Sequence, residues 1–157
     1  MDIEFKKLIE QMPQLLGNLK RKKPLAMSNL GGIPTRGVYV FYEKNKPIYV
    51  GRSNRLKSRI REHYRESSTH DSATFAFNLA KFNLAKEEMG INQRTPITRK
   101  GLEKAPGFDR AFYEARLRVK EMEVRVVQID DQATQALFEI YAVLALKTRR
   151  YNNFRTH

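Results

Sequence analysis

The sequence predicts a mixed α/β fold in one domain, and two kinds of pattern predict it. Segments of strand-like alternation and composition occur at Val38 and Val40, at Ile48 and Val50, and at Val124, Val126 and Ile129. The segments around them repeat apolar residues at helical spacing. With 157 residues and no internal repeat, the chain is long enough for a single domain with its own core.

The composition favours a polyanionic partner. The chain has 30 Lys and Arg against 17 Asp and Glu, which gives a formal net charge of +13. Cations gathered on one face displace the counterions condensed on nucleic acid, so an excess of this sign favours nucleic-acid binding. The alternative is a basic protein, such as one associated with the ribosome, whose charge has a more general role.

The absence of cysteine limits the kinds of site that the protein can form and bears on its cellular compartment. Disulfides and cysteine-based metal sites are excluded, and a reducing compartment fits. No apolar stretch is long enough to cross a bilayer, and residues 1–7 lack the apolar region of a signal peptide. We therefore expect a cytoplasmic protein with no membrane partner.

Residues 1–36 are predicted to form an N-terminal helical extension and a loop. A helix over residues 3–19 has an apolar face that we expect to cover the sheet, formed by Leu8, Ile9, Met12, Leu15, Leu16 and Leu19. Pro13 either kinks this helix or begins a second short one. Two glycines and a proline favour a loop over residues 24–36.

The next segment predicts a β-hairpin. The run from Glu43 to Pro47 has the composition of a turn and separates the first two strand patterns. This arrangement places Tyr39 and Tyr49 at corresponding positions on neighbouring strands. Gly51 ends the second strand and lets the chain turn into a helix.

That helix is strongly basic and is predicted to run to about Arg65, with Ser53 or Asn54 as its cap. Its cations and histidine are Arg55, Lys57, Arg59, Arg61, His63 and Arg65. Spacing of four residues puts Arg55, Arg59 and His63 in one stripe along the helix. The alternative interpretation of this stripe is a solvated face.

The remainder alternates helices with one more strand. The predicted elements are a loop over 66–73, a helix over 74–89 ended by Gly90, an exposed loop over 91–107, a helix from Phe108 to Met122, the third strand over 124–129, and a helix over 132–147. Asp130 or Asp131 can cap the final helix.

Glu139 is an acid inside the apolar pattern of the final helix. An unpaired buried carboxylate is costly, so such a group lies on an exposed edge, pairs with a cation or binds a metal. A single carboxylate is a typical anchor for Mg²⁺, which keeps most of its waters and takes further ligands from substrate phosphate.

The hairpin residues Gly37-Val38-Tyr39 and Tyr49-Val50-Gly51 resemble the GIY-YIG nuclease family, with valine in place of isoleucine in both halves. The resemblance continues in order with Arg59 ten residues after Tyr49, His63 one turn later, then Glu139 and Asn152. A tyrosine pair alone is a weak signal, whereas an ordered set of six residues is specific. The resemblance covers about residues 37–66 and 122–154.

The resemblance implies a small three-stranded antiparallel sheet flanked by helices with one shallow catalytic face. It also implies hydrolysis of phosphodiester bonds in DNA with one divalent metal, Mg²⁺ or Mn²⁺. The implied domain is residues 37–157, with a helical insertion at about 67–121 beyond what a minimal family domain needs.

Residue by residue, the resemblance implies a division of roles. Glu139 would hold the metal, and Arg59 would bind the scissile phosphate and stabilise its developing charge. Tyr39 would act on the attacking water as base or orienter, and Tyr49 would share its cluster. A tyrosine base requires a pKa lowered by nearby cations. His63 would assist proton transfer or bind phosphate. Asn152 would fix the geometry of the site by hydrogen bonding.

The other cations around the hairpin are predicted to hold DNA, namely Arg52, Arg55, Lys57, Arg61 and Arg65. We hypothesise that the insertion shapes DNA contact or dimerisation through residues such as Arg94, Arg99 and Lys100; its alternative role is a covering layer. Two other functions stay open: a binding module of the same fold with weak catalysis, and a basic RNA-associated protein.

Overall fold

The computed structural model describes residues 2–87 and 99–152 of the chain, with the side chains of residues 85–87 excepted. The chain forms two compact units. The first is Met1–Ile60 together with Glu121–His157, and the second is Arg61–Lys120. The first unit contains the whole sheet.

Helix α1 (Ile3–Arg21) opens the first unit and confirms the predicted N-terminal helix. The Asp2 side chain caps it by accepting from the Phe5 N–H at 2.9 Å. Pro13 lies inside the helix and does not end it. The buried face is narrower than predicted, because Met12, Leu16 and Leu19 are buried while Ile9 is 42% exposed.

The sheet has four antiparallel strands in the order β1-β4-β2-β3: β1 (Leu25–Ala26), β2 (Gly37–Glu43), β3 (Lys46–Ser53) and β4 (Glu123–Gln128). The three predicted strands are confirmed as β2, β3 and β4. The prediction of a loop throughout 24–36 was wrong at β1, since two residues are too few to show alternation. β3 lies at one edge of the sheet, and the central strand β2 is buried over almost its whole length.

The hairpin turn is shorter than predicted. Lys44 and Asn45 have φ of 49° and 64°, so the turn is a two-residue one with both central residues left-handed. Pro47, predicted in the turn, belongs to β3 instead. An edge strand tolerates this proline because its outward side needs no N–H donor.

Helix α6 (Gln132–Ala145) confirms the predicted final helix and covers one face of the sheet together with α1. Asp131 caps it, accepting from the Thr134 N–H at 2.7 Å. The shared core joins the two helices to the even-numbered side chains of β2 and includes Leu19, Val38, Val40, Phe138, Ala142 and Val143.

Helix α2 (Leu56–Glu62) ends before the predicted boundary near Arg65. It starts close to β2, where the Leu56 N–H donates to the Thr35 carbonyl at 2.8 Å. His63 therefore lies beyond the helix, and the predicted stripe containing it was wrong for that residue. The reason is that the Tyr64 N–H donates to the Arg61 carbonyl, three residues back, and does not continue the helical pattern of bonds four residues back.

The second unit is built on helix α3 (Thr74–Glu87) packed against helix α5 (Phe108–Lys120), with the short helix α4 (Arg99–Glu103) beside α5. Rings form its core: Phe108 and Phe112 stack at 6.0 Å between centroids, and His70 meets both edge-on. The predicted loop over 91–107 was wrong at α4, while its residues 91–98 and the predicted helix end at Gly90 lie outside the described residues.

Arg99, proposed from sequence as a DNA contact, is held within the second unit. Its guanidinium lies over the Phe77 ring at 4.1 Å and pairs with Asp71 at 3.1 Å. It also donates to the His70 carbonyl oxygen. These contacts engage the Arg99 guanidinium within the second unit, and the role of the insertion stays a prediction. Lys100 is exposed, and Arg94 lies outside the described residues.

Over residues 2–87 and 99–152, no helix combines the length and the apolar character needed to cross a membrane.

Gly37 starts β2 at a position that a side chain cannot share. Its φ is 147°, and a Cβ built there would lie 2.0 Å from the Val127 carbonyl oxygen of β4. β2 and β4 approach this closely only because position 37 has no Cβ.

We predict that Gly37→Ala lowers the free energy of unfolding by about 2 kcal/mol or more, through backbone strain and the clash with β4. Urea unfolding followed by circular dichroism measures this. Gly31→Ala is the matched control, because its nearest atom is the Asn29 Oδ1 at 4.0 Å. Equal stability of the two variants would contradict the assignment.

Candidate active site

Tyr39 crosses the edge strand where that strand has no side chain. It lies on β2 directly opposite Gly51 of β3. A Cβ built on Gly51 would lie 2.4 Å from both Cζ and Oη of Tyr39, so the phenol ring occupies the space of the missing side chain. The ring is 1% exposed. The second half of the hairpin motif thus needs glycine to let Tyr39 lie across the strand.

Tyr49 lies on the same face of the sheet as Tyr39 but not opposite it. Its cross-strand partner is Phe41, so the predicted correspondence between the two tyrosines is shifted by two residues. The Tyr49 ring lies 6.4 Å from the Tyr39 ring and 6.1 Å from the Phe41 ring, between centroids. The three rings form an aromatic cluster on the face away from α1 and α6.

Arg59 of α2 reaches this cluster. Its guanidinium donates to the Tyr39 hydroxyl, and its charge acts on Tyr49 and Glu139 as well. The residue is intermediate in exposure, unlike the exposed Arg55 and Lys57 at the start of the same segment. Of the predicted stripe, Arg59 is therefore the cation that meets the tyrosines.

Burial keeps both phenols protonated. Loss of hydration raises the pKa of Tyr39 well above its ordinary value, and raises the pKa of Tyr49 to about 12. Arg59 opposes this in both cases but does not outweigh burial. The lowered pKa that a tyrosine base requires is thus not produced by Arg59 alone.

Glu139 pairs with Arg52, a cation that the sequence predicts to hold DNA. Arg52 follows Gly51 on β3, so it points to the opposite face, which α6 covers. Its Nε donates to the Glu139 Oε2 at 3.0 Å, with side chains 44% and 24% exposed respectively. Burial raises the pKa of Glu139, while Arg52 acts in the opposite direction.

Asn152 closes the free edge of β3 beside the tyrosines. Its Oδ1 accepts from the Val50 N–H at 3.1 Å, and its Nδ2 donates to the Val50 carbonyl at 2.6 Å. The Thr148 hydroxyl donates to the same Oδ1 at 3.0 Å. One amide side chain therefore replaces the neighbouring strand that an edge residue lacks.

His63 belongs to the second unit, as do the exposed cations Arg61 and Arg65. Its ring is fully buried and meets the Phe75 ring of α3 edge-on, at 6.3 Å between centroids. The other five predicted catalytic residues, together with Arg52, Arg55 and Lys57, belong to the first unit.

Two buried polar residues support this site and were missed in the sequence. Gln135 on α6 is 1% exposed and donates to the Asn54 Oδ1 at 3.1 Å and to the Ile129 carbonyl at 2.8 Å. Thr148, 2% exposed, holds Asn152. A glutamine within an apolar helix is the one signal that could have drawn attention to Gln135.

The arrangement places an arginine beside two phenols at a sheet edge, with a carboxylate–arginine pair and an amide that fixes the strand. A family model of the GIY-YIG catalytic domain matches residues 35–152 of the chain. The chain therefore belongs to the GIY-YIG family, a nuclease family whose reaction is hydrolysis of phosphodiester bonds in nucleic acid. Comparison with curated proteins and with solved structures gave no match.

We predict that Asn152→Asp lowers the free energy of unfolding by about 1–3 kcal/mol, because a carboxylate oxygen would face the Val50 carbonyl without a donor. Thermal unfolding at neutral pH measures the loss. Asn18→Asp is the matched control: its Oδ1 accepts from Arg21 at 2.6 Å, and an aspartate still accepts there. A loss no larger than that of the control would refute this bridging role.

The raised pKa of Tyr49 predicts a pH dependence of stability. The unfolded chain loses a tyrosine proton near pH 10, whereas the folded protein holds that of Tyr49 to about pH 12. The stabilisation is complete below about pH 10 and is lost as the pH rises through about 12. In urea unfolding, the free energy of unfolding of Tyr49→Phe should fall less across this window than that of wild type, by up to about 3 kcal/mol. Parallel curves for the two proteins would contradict the prediction.

Proposed function

We propose that the protein is a divalent-metal-dependent endonuclease that cleaves DNA. The observation that supports this most is the joint contact of Arg59 with Tyr39 and its electrostatic influence on Tyr49 and Glu139 at one edge of the sheet. A phosphodiester needs charge neutralisation on its phosphoryl oxygens and an oriented water, and this group of side chains is suited to both.

The side chains fit Mg²⁺ or Mn²⁺ better than a metal that takes all its ligands from the protein. Among the described residues, no three His, Cys, Asp or Glu side chains gather in one place, and Glu139 supplies a single partly exposed carboxylate. Mg²⁺ suits such a site, since it is held by one or two carboxylates, waters and substrate phosphate. When bound, the metal would supply Lewis-acid stabilisation of the phosphoryl oxygens.

Arg59 is the residue we assign to the scissile phosphate. A guanidinium beside two phenols carries a permanent charge in a partly buried setting, where it acts more strongly than in water. The developing charge on the phosphoryl group would therefore be stabilised without reorganisation of the protein.

For Tyr39 we favour the orienting role over that of general base. Its raised pKa disfavours loss of the phenol proton at neutral pH, and the protonated phenol can donate a hydrogen bond to a water. The same reasoning applies to Tyr49, which is 8% exposed. For His63 the family resemblance is the only support, and for Asn152 the support is its double hydrogen bond to Val50 beside Tyr49.

The nucleic-acid contacts we propose are the exposed cations that follow β3 in the chain, Arg55, Lys57, Arg61 and Arg65. Their charge would be neutralised against backbone phosphates, so binding would weaken as salt rises. Arg52 differs because it is already paired with Glu139. Assembly as a homodimer and a cytoplasmic location stay predictions from sequence.

The competing proposal is a binding module of the same fold with weak catalysis. The observation in its favour is that Tyr39 is only 1% exposed, which restricts access of a water to its hydroxyl. A direct assay of strand cleavage separates the two.

We predict that the protein nicks supercoiled plasmid in the presence of Mg²⁺ and that EDTA stops the reaction. Glu139→Ala and Arg59→Ala should each reduce the nicking rate by about 10²–10³-fold, as for loss of a group that stabilises charge in the transition state. Gel analysis of nicked and linear plasmid over time measures the rate.

Arg21→Ala is the control for Arg59→Ala. Both remove one positive charge, and Arg21 ends α1 with its guanidinium on the neutral Asn18 amide. Plasmid binding without nicking would favour the binding module. Equal nicking by wild type and Glu139→Ala would show that the activity comes from a contaminant.

A further inference from the structure

The carboxylate assigned to the metal is already engaged by Arg52. The contact is a single one, from the Arg52 Nε to the Glu139 Oε2 at 3.0 Å, and the Arg52 side chain is 44% exposed. Arg52 follows Gly51 on β3, so its backbone belongs to the edge strand across which the Tyr39 ring lies.

This ion pair is a poor device for stability. Ion pairs with one partner this exposed contribute little to stability, because solvent screens the attraction and two side chains must be ordered. It still acts on a second cation, because a guanidinium bound to the carboxylate competes with a divalent ion for the same oxygens. The pair is therefore easily broken but opposes metal binding while it lasts.

Phosphate is the natural alternative partner for the guanidinium. Arginine binds phosphate oxygens through charge-assisted, often bidentate hydrogen bonds, which are stronger than its single contact with Glu139. The exposed half of the Arg52 side chain allows it to turn from the carboxylate toward solvent without unpacking the core.

We propose that Arg52 is an internal counter-ion of Glu139 that exchanges its carboxylate for a nucleic-acid phosphate, so that divalent metal and nucleic acid bind cooperatively. This inference rests on the proposed function, in which Glu139 holds the metal. In the free protein Arg52 competes with the metal. In the complex the phosphate holds the guanidinium, and the carboxylate is released for the metal. By linkage, the metal must tighten nucleic-acid binding by the same factor.

Arg52 is thus a positioning residue whose effect is separable from catalysis. A residue that merely contacts DNA would leave metal affinity in the free protein unchanged when removed. Removal of a counter-ion would increase that affinity and would reduce the coupling between the two ligands. The test is therefore a binding measurement on the full chain.

The first part of the test is isothermal titration calorimetry, which measures the affinity of the protein for Mn²⁺ without nucleic acid. We expect Arg52→Gln to bind Mn²⁺ about threefold to fivefold more tightly than wild type, because breaking so exposed a pair costs little. Arg21→Gln, which removes the same charge from the end of α1, should change the affinity by less than about twofold, because this exposed guanidinium is held by the Asn18 amide and solvent screens its charge. Arg52→Lys keeps the charge and should stay close to wild type.

The second part repeats the titration with a short duplex whose linkages are phosphorothioates, which slow cleavage. The duplex should tighten Mn²⁺ binding in wild type and clearly less in Arg52→Gln. An equal effect in both proteins would overturn the exchange, as would Arg52→Gln binding Mn²⁺ no more tightly than Arg21→Gln.

Glu139→Gln distinguishes the two levels of the proposal. If it keeps wild-type affinity for Mn²⁺, the metal site itself is wrong and both proposals fail. If it loses Mn²⁺ while Arg52→Gln behaves as Arg21→Gln, the metal site stands and only the counter-ion role of Arg52 is rejected.

Discussion

The candidate site depends on the passage of the Tyr39 ring across Gly51. A side chain on the central strand of a sheet is normally confined between its neighbours. Here the edge strand has no Cβ opposite Tyr39, and the phenol fills that space at contact distance. The hydroxyl thereby reaches the Arg59 guanidinium, and the two tyrosines gather on one face. Gly37 permits a second close approach, between β2 and β4, on the other side of β2.

An edge strand used in this way needs protection, and Asn152 provides it. Among the residues that the structure describes, β3 has a strand neighbour on one side only, and Val50 lies between Tyr49 and Gly51. The Asn152 amide satisfies both backbone groups of Val50, with Thr148 holding the amide in place. The same contacts that prevent pairing with another chain also fix the segment carrying Tyr49 and Gly51.

The electrostatics of the site are unbalanced in the protein alone. Burial raises the pKa of both phenols and of Glu139, and the arginines oppose each shift without removing it. Such perturbed groups cluster at functional sites because burial and charge partners there serve chemistry in addition to stability. The Arg52 guanidinium balances part of the charge of the Glu139 carboxylate.

The sequence by itself determined the family, the three main strands and the two helices that cover them, because alternation, helical periodicity and an ordered set of motif residues are local or additive signals. Tertiary structure decided the rest. The register that places Tyr39 over Gly51, the pairing of Arg52 with a carboxylate 87 positions away, and the end of α2 before His63 depend on which backbones meet in space. Even the short strand β1 exists only because β4 is there to pair with it, so no pattern in its two residues could have shown it.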